Sequence, residues 1–310
     1  MKIKFYEEDF NVEEVPLNVE LHKKQEKEDE YAYFLLEKKG WDTPRLVDEV
    51  SRRLRINRKT IGYAGNKDKK AVTKQRISIP IYAVNSINDV ERLDIKGCKL
   101  EFIGYSRERI TLGDLKGNKF VITVRQLDGE KEINLGKIKN YFGEQRFGRD
   151  GINIILGRAI VKNDFLKACN LLGLKVKGNA PVTSLREVDS RVLRLYVNAY
   201  QSWMWNCVAK KVDNPDEIEV IGFLTEFKDK NVEMLYKEIM EKEGISQQNF
   251  LIKQFKEISN EGTIRKLYLN AKDFKTRWED DDAFHGKKKC IITFELDKGC
   301  YATVVLNSLF

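Results

Sequence analysis

The chain has two histidines, His22 and His285, among 310 residues, so a His-based catalytic triad or a histidine-rich metal site has almost nothing to be built from. Its five cysteines, Cys98, Cys169, Cys207, Cys290 and Cys300, are odd in number, widely scattered and without a C-x-x-C pair. They read as reduced, mostly buried thiols, which excludes a disulfide framework. No apolar run comes near the ~18 residues that a membrane span needs. The first ten residues alternate apolar with charged where a signal peptide would be apolar, so the expected address is the cytoplasm. A metal would have to come from carboxylates, and the one candidate is Glu279-Asp280-Asp281-Asp282. That run lacks the spaced ligands and central glycine of a calcium loop and reads as a solvated acidic turn. Neither a metal nor a cofactor is expected.

What the sequence does have is a concentrated positive charge. Pro44 to Arg76 holds eleven cations against three anions, a net +8 equal to the formal charge of the whole chain. The remaining residues sum to zero, so the excess is a local field and its natural partner is a polyanion. One carboxylate, Asp68, lies in the glycine-punctuated stretch I-G-Y-A-G-N-K-D-K-K-A-V-T-K-Q-R-I-S-I-P from Ile61 to Pro80. Neighbouring cations favour its charged form, which suits a nucleophile or a groove countercharge and argues against a proton shuttle.

Length and composition, 42% hydrophobic and 34% charged, allow two domains or one large domain with an insertion. Lys2 to Val15 alternates as an edge strand stopped by Pro16, Glu20 to Glu30 reads as a charged hairpin tip or loop, and Tyr31 to Leu36 as a buried strand. Thr43 before Pro44 reads as the cap of a helix with a basic outer face, and Asn57 as the cap of a short turn. Gly62 and Gly65 bracket a bend suited to a left-handed conformation or a close ligand. Gln75 to Ile81 is strand-like. Leu100–Tyr105, Ile110–Leu112 and Phe120–Val124 read as a meander with Lys116-Gly117-Asn118 as a turn. Leu135 to Phe142 reads as a short helix before N-Y-F-G-E-Q-R-F-G, Asn140 to Gly148, whose aromatics and Arg146 suit stacking on an unpaired base. Helices follow at 165–172, 190–211 and 231–243, with a further candidate at 246–255. The long one carries a core stripe through Tyr200 and Met204, with Trp203 assigned to the core. Strand texture returns at 264–278 and 290–296, while Tyr301 to Leu306 fits either strand or helix. This β, α, β texture predicts an α+β fold with an insertion.

Three motifs then go further together: Asp9-Phe10 with Val12-Glu13-Glu14, A-G-N-K-D-K-K-A-V-T-K-Q from Ala64 to Gln75, and N-Y-F-G-E-Q-R-F-G. In this order they resemble the signature set of the tRNA pseudouridine synthase D (TruD) family, and Thr43, Leu115-Lys116-Gly117-Asn118, Ala199-Tyr200-Gln201-Ser202 with Asn206, and Tyr301-Ala302-Thr303 are similar as well. The resemblance implies a catalytic domain at 1–160 and 275–310, with a mixed, mainly antiparallel β-sheet and flanking helices. It implies an inserted α-rich TRUD domain at 161–274, with RNA in the cleft between. By motif position Asp68 matches the catalytic aspartate and Phe142 the aromatic that stacks on the target base. Asn140 matches a polar group placing that base or the aspartate, Lys4 a basic residue near it, and Phe10 an aromatic of the site wall. Lys67, Gln145 and Arg146, in the same motifs, are expected to bind substrate. Two departures are Asn307, where the family carries arginine, and Tyr31, where bacterial members show histidine.

The implied activity is isomerisation of uridine to pseudouridine at position 13 of tRNA, by a monomer that needs no membrane and no protein partner. Two rivals are weighed against it. A non-catalytic RNA-binding module would use the same basic cleft with Asp68 as a countercharge. A phosphate-handling enzyme would use Gly62, Gly65, Lys67 and Thr73, although the spacing G-x-x-x-x-G-K-[ST] is absent.

Overall fold

The computed structural model describes residues 1–176 and 180–310. The chain divides into two compact units, the first of residues 1–135, 270–302 and 309–310, the second of residues 136–269 and 303–308. The fold class is α+β, with a large mixed sheet in the first unit and mainly helices in the second.

Seven long strands make the sheet: β1 (Phe10–Pro16), β2 (Tyr31–Lys39), β3 (Val72–Pro80), β4 (Cys98–Ser106), β5 (Leu115–Leu127), β6 (Lys272–Asp280) and β7 (Lys288–Asp297). Their order is β6-β7-β5-β1-β3-β2-β4, and the short strands Lys2–Ile3 and Gly62–Tyr63 pair with β5 and β3. Every neighbour in that order is antiparallel except β1 and β3, which run parallel with Asn11 opposite Val72. The segments that precede these two strands therefore arrive side by side. This one parallel pairing brings residues 4–10 next to residue 68.

Helix α1 (Thr43–Leu54) lays Leu46, Val47 and Val50 on Phe34, Leu36, Ile77 and Ile79 of β2 and β3. Its cap is Asp42, whose carboxylate accepts the Arg45 N–H at 3.0 Å, and not Thr43 as expected. Thr43 is buried and spends its hydroxyl on Gln75 and on the Lys67 N–H, each at 3.0 Å. β1 is interior where an edge strand was expected, because Phe10 and Val12 are buried and Glu14 finds a buried cation. Lys116-Gly117-Asn118 is not a turn but lies inside β5. Gly117 is required there because a Cβ would sit 2.1 Å from the Leu296 carbonyl oxygen on β7. No meander forms, since β4 lies at the sheet edge beside β2 while β5 sits between β7 and β1. Gly62 and Gly65 do not adopt left-handed φ, and the close neighbour of Gly62 is the Ile110 carbonyl, 2.3 Å from where a Cβ would lie. In the run 279–282, read as a solvated acidic turn, Glu279 and Asp280 end β6 and Asp280 and Asp282 are exposed, but Asp281 is not. Asp281 is buried, and it and Asp282 each accept from Arg125 at 2.9 Å.

In the second unit α2 (Ile152–Val161), α3 (Ser190–Ala209) and α4 (Lys230–Glu243) surround Tyr200, Met204, Trp205 and Val208, all wholly buried. Among its described residues it also holds two small antiparallel pairs, Glu217–Val220 with Thr263–Lys266 and Ile138–Lys139 with Tyr268–Leu269. The expected helix at 135–142 is thus absent, because Ile138 and Lys139 pair with the 268–269 strand instead. The segment 246–255 forms only a short 3₁₀ turn, Gln247–Phe250. Ala302–Leu309 is helical, which settles the ambiguous C-terminal run. Among the described residues no helix is long and apolar enough to cross a membrane.

Candidate active site

Asp68 stands in the turn between the Gly62–Tyr63 strand and β3. Its Oδ2 accepts a hydrogen bond from Lys4 Nζ at 2.5 Å, and the two side chains are 28% and 25% exposed. The same ammonium lies 4.0 Å from the centre of the buried Phe10 ring, so Lys4 bridges a carboxylate and an aromatic face. Lys4 has φ +57°, a left-handed conformation that a lysine holds only where surrounding structure fixes it. Asp9 supplies part of that fixing. It is buried, accepts from Arg125 Nε at 2.9 Å, and takes the Tyr6 N–H at 2.8 Å.

The turn itself is fastened from below. Lys38 is 1% exposed, and its ammonium donates to the carbonyls of Trp41 at 2.7 Å, Asp68 at 2.8 Å and Lys67 at 3.3 Å. Burial pushes its pKa down to about 8, against the pull of Asp68 and Asp42. Gln75, the last residue of the motif, donates to the Gly65 carbonyl at 3.1 Å while accepting from Thr43. Lys67 is expected at substrate, yet its ammonium is buried against Glu14 at 3.1 Å, where it braces the turn. Thr73 is wholly buried on β3. With Lys67 and Thr73 both turned inward, the phosphate-loop reading has lost its polar groups.

The remaining expected residues lie in the second unit. Phe142 is half-buried, edge-on to Trp205 at 5.6 Å, and carries the Arg265 guanidinium 4.0 Å above its ring. Asn206 holds the Phe142 backbone at both ends, accepting its N–H at 2.9 Å and donating to its carbonyl at 3.0 Å. Asn140 is buried; it accepts from Arg265 at 2.7 Å and donates to the Lys266 carbonyl at 3.2 Å, so it aligns the arginine that faces Phe142. Arg146 lies 5.9 Å from the Phe142 ring and donates to Ser202 at 3.3 Å. Gln145 is exposed on the short helix Glu144–Phe147. Trp203, partly buried, stacks on Tyr200 at 5.7 Å.

The structure thus gathers Lys4, Phe10, Lys67 and Asp68 in one cluster, and Asn140, Phe142 and Arg146 in another. A model of the tRNA pseudouridine synthase D (TruD) family matches residues 1–179 and 215–309. The chain belongs to this family. A probable tRNA pseudouridine synthase D of Methanococcoides burtonii is 26% identical across 99% of this chain and 92% of its own length. A probable tRNA pseudouridine synthase D 1 of Methanocaldococcus jannaschii is 31% identical across 98% and 94%. The crystal structure of a putative TruD from Methanosarcina mazei shares the fold, with a TM-score of 0.73 over 99% of this chain and 93% of that one, at 24% identity.

Lys38 and Arg265 are the neighbours of the candidate residues that sequence reasoning missed in this TruD-family chain. A lysine at the end of a strand carries no sign that its charge will be buried. Arg265 is 125 residues from Asn140, and no local pattern joins them.

Proposed function

We propose that the protein is a tRNA pseudouridine synthase, in which ionised Asp68 attacks a uridine swung out of its stack. Residues 1–160 and 275–310 are then the catalytic domain and residues 161–274 the inserted TRUD domain. The observation that carries this is the Lys4–Asp68 pair: one carboxylate oxygen is held by a cation at 2.5 Å, in a partly exposed turn whose backbone is clamped by a buried ammonium. A carboxylate held in this way is fixed in position, as a nucleophile must be.

The reaction is an isomerisation. The C1′–N1 bond breaks, the uracil turns in the pocket, C1′ bonds to C5, the C5 proton leaves and N1 regains one, and the bond that Asp68 made to the nucleoside is broken again, which returns the free carboxylate. Extruding the base costs a few kcal/mol, which phosphate contacts from the exposed arginines of α1 offset; Phe142, in the second unit, offers a stacking surface to an RNA base. Arg265, aligned by Asn140, supports the Phe142 ring. Lys4 orients the attacking carboxylate, and Phe10 closes the wall behind Lys4. The substrate position is uridine 13 of tRNA, and the enzyme works in the cytoplasm as a single chain.

The test is Asp68→Asn assayed by tritium release from tRNA labelled at uracil C5. The expected result is a loss of at least about 10⁴-fold in rate with tRNA binding retained. Normal release would refute the assignment, and pseudouridine absent from the reaction of the unaltered protein would leave only an RNA-binding module.

A further inference from the structure

Phe5 and Tyr6 follow Lys4 directly, and both rings stand open, 38% and 47% exposed. They meet edge-on at 4.7 Å, and Phe5 packs edge-on to Phe284 at 5.0 Å. Cations steady them: Lys2 Nζ lies 5.5 Å from the Phe5 ring and 5.1 Å from Phe284, and the Arg125 guanidinium lies 5.1 Å from Tyr6. The two rings wall a hollow of about 550 Å³ whose other lining residues are Glu7, Glu8, Lys39, Lys69 and Lys70. That size suits a small ligand. Lys69 and Lys70 follow Asp68 in the chain, so both segments that form the Lys4–Asp68 pair continue into the hollow's walls.

The charges in the hollow are not equivalent. Lys39 pairs with Glu8 and lies 4.0 Å from Glu7, so these three largely answer one another. Lys69 and Lys70 are exposed, and among the described residues no ion pair holds either one. Two partly exposed aromatic rings, two ammonium groups outside ion pairs and two carboxylates able to accept from hydroxyls are a set of contacts for one ribonucleotide. The base stacks, the phosphate meets the lysines, and the ribose hydroxyls meet Glu7 or Glu8. A polyphosphate fits poorly, because the same carboxylates would repel it.

We propose that this hollow binds the nucleotide adjoining the reacting uridine in the RNA strand. The proposal rests on the reading of Asp68 as the residue that meets that uridine. The hollow would hold the strand while the neighbouring base is out of its stack, and would therefore act on binding and not on bond breaking.

The experiment compares the unaltered protein with Phe5→Ala/Tyr6→Ala and with Lys69→Glu/Lys70→Glu, measuring KM and kcat for tRNA by tritium release. A parallel arm measures binding of a single-stranded oligouridylate to Asp68→Asn protein with and without the aromatic pair. The expected result is a KM raised about tenfold or more in each double variant, with kcat at saturation within about twofold and a matching loss of oligonucleotide affinity. Phe5→Trp/Tyr6→Trp, which keeps flat faces, should restore KM. A fall in kcat at unchanged KM, or unchanged KM and affinity, overturns the proposal. Uridine monophosphate binding as tightly as the oligonucleotide also overturns it, since the site would then serve a free nucleotide. If Asp68→Asn alone remains active, the reading of Asp68 fails, while the affinity arm still reports on the hollow.

Discussion

The Asp68 turn and the Phe142 segment are built by opposite means. Around Asp68 the backbone is pinned by directional, charged bonds: three carbonyls on Lys38, the Lys67–Glu14 pair beneath, and Thr43 and Gln75 at the side. Around Phe142 one amide, Asn206, clips the backbone, while the ring rests between Arg265 and Trp205. The contrast suits the work proposed for each. An attacking oxygen must be placed within a fraction of an ångström, and buried hydrogen bonds give that precision. A stacking ring needs only a plane, which tolerant aromatic and cation–π contacts supply.

Three perturbations break or sharpen that contrast. Lys67→Met strips the cation from buried Glu14, and the expected cost is about 3–5 kcal/mol of stability. Thermal unfolding would show it, and an unchanged transition would mean that Glu14 is not held as a buried charge. Lys38→Met leaves three carbonyls without their donor and lets the turn drift. A displacement of that order lowers kcat by about 100-fold, and an equal change in KM would point instead to a defect in binding. Phe142→Ala removes the stacking plane alone, and a drop of roughly 10- to 100-fold in RNA affinity is expected. An affinity equal to that of the parent would remove Phe142 from the substrate.

Lys38 also links the turn to pH. Its pKa is pushed down to about 8 in the folded protein, from 10.5. Between these values the folded chain holds fewer protons at this site than the unfolded one, so this group's contribution to stability rises with pH. The turn meanwhile loses its cation. Activity is therefore expected to fall above about pH 8 while the melting temperature does not follow. Lys38→Arg, which keeps its charge at any accessible pH, should move that fall upward. An unchanged alkaline limb would show that the proton on Lys38 does not matter.

Much of this was legible in the chain itself. The motif from Ala64 to Gln75 marks the turn, and its two ends prove to be hydrogen-bonded across it through Gln75 and Gly65. The helix after Asp42, the strands at Tyr31 and Gln75 and the long helix through Tyr200 follow from apolar periodicity. Errors fell where a local signal had a non-local answer. Gly117 reads as a turn because glycine usually marks one, yet it is small to admit a carbonyl from β7. The acidic run at 279–282 reads as solvated because Arg125, its partner, lies more than 150 residues away.

The sequence by itself singled out the candidate residues: a lone carboxylate in a cationic turn, an aromatic between glycines, and a charge excess confined to one stretch. Residue type and near spacing are local properties, and they survive without a fold. Only the tertiary structure decided which of the neighbouring cations face the carboxylate and which are buried beneath it. That choice depends on the parallel pairing of β1 with β3, which sets residues 4–10 beside residue 68. It depends as well on burial, which makes Lys38 and Lys67 props of the turn and leaves Lys4 to touch the acid.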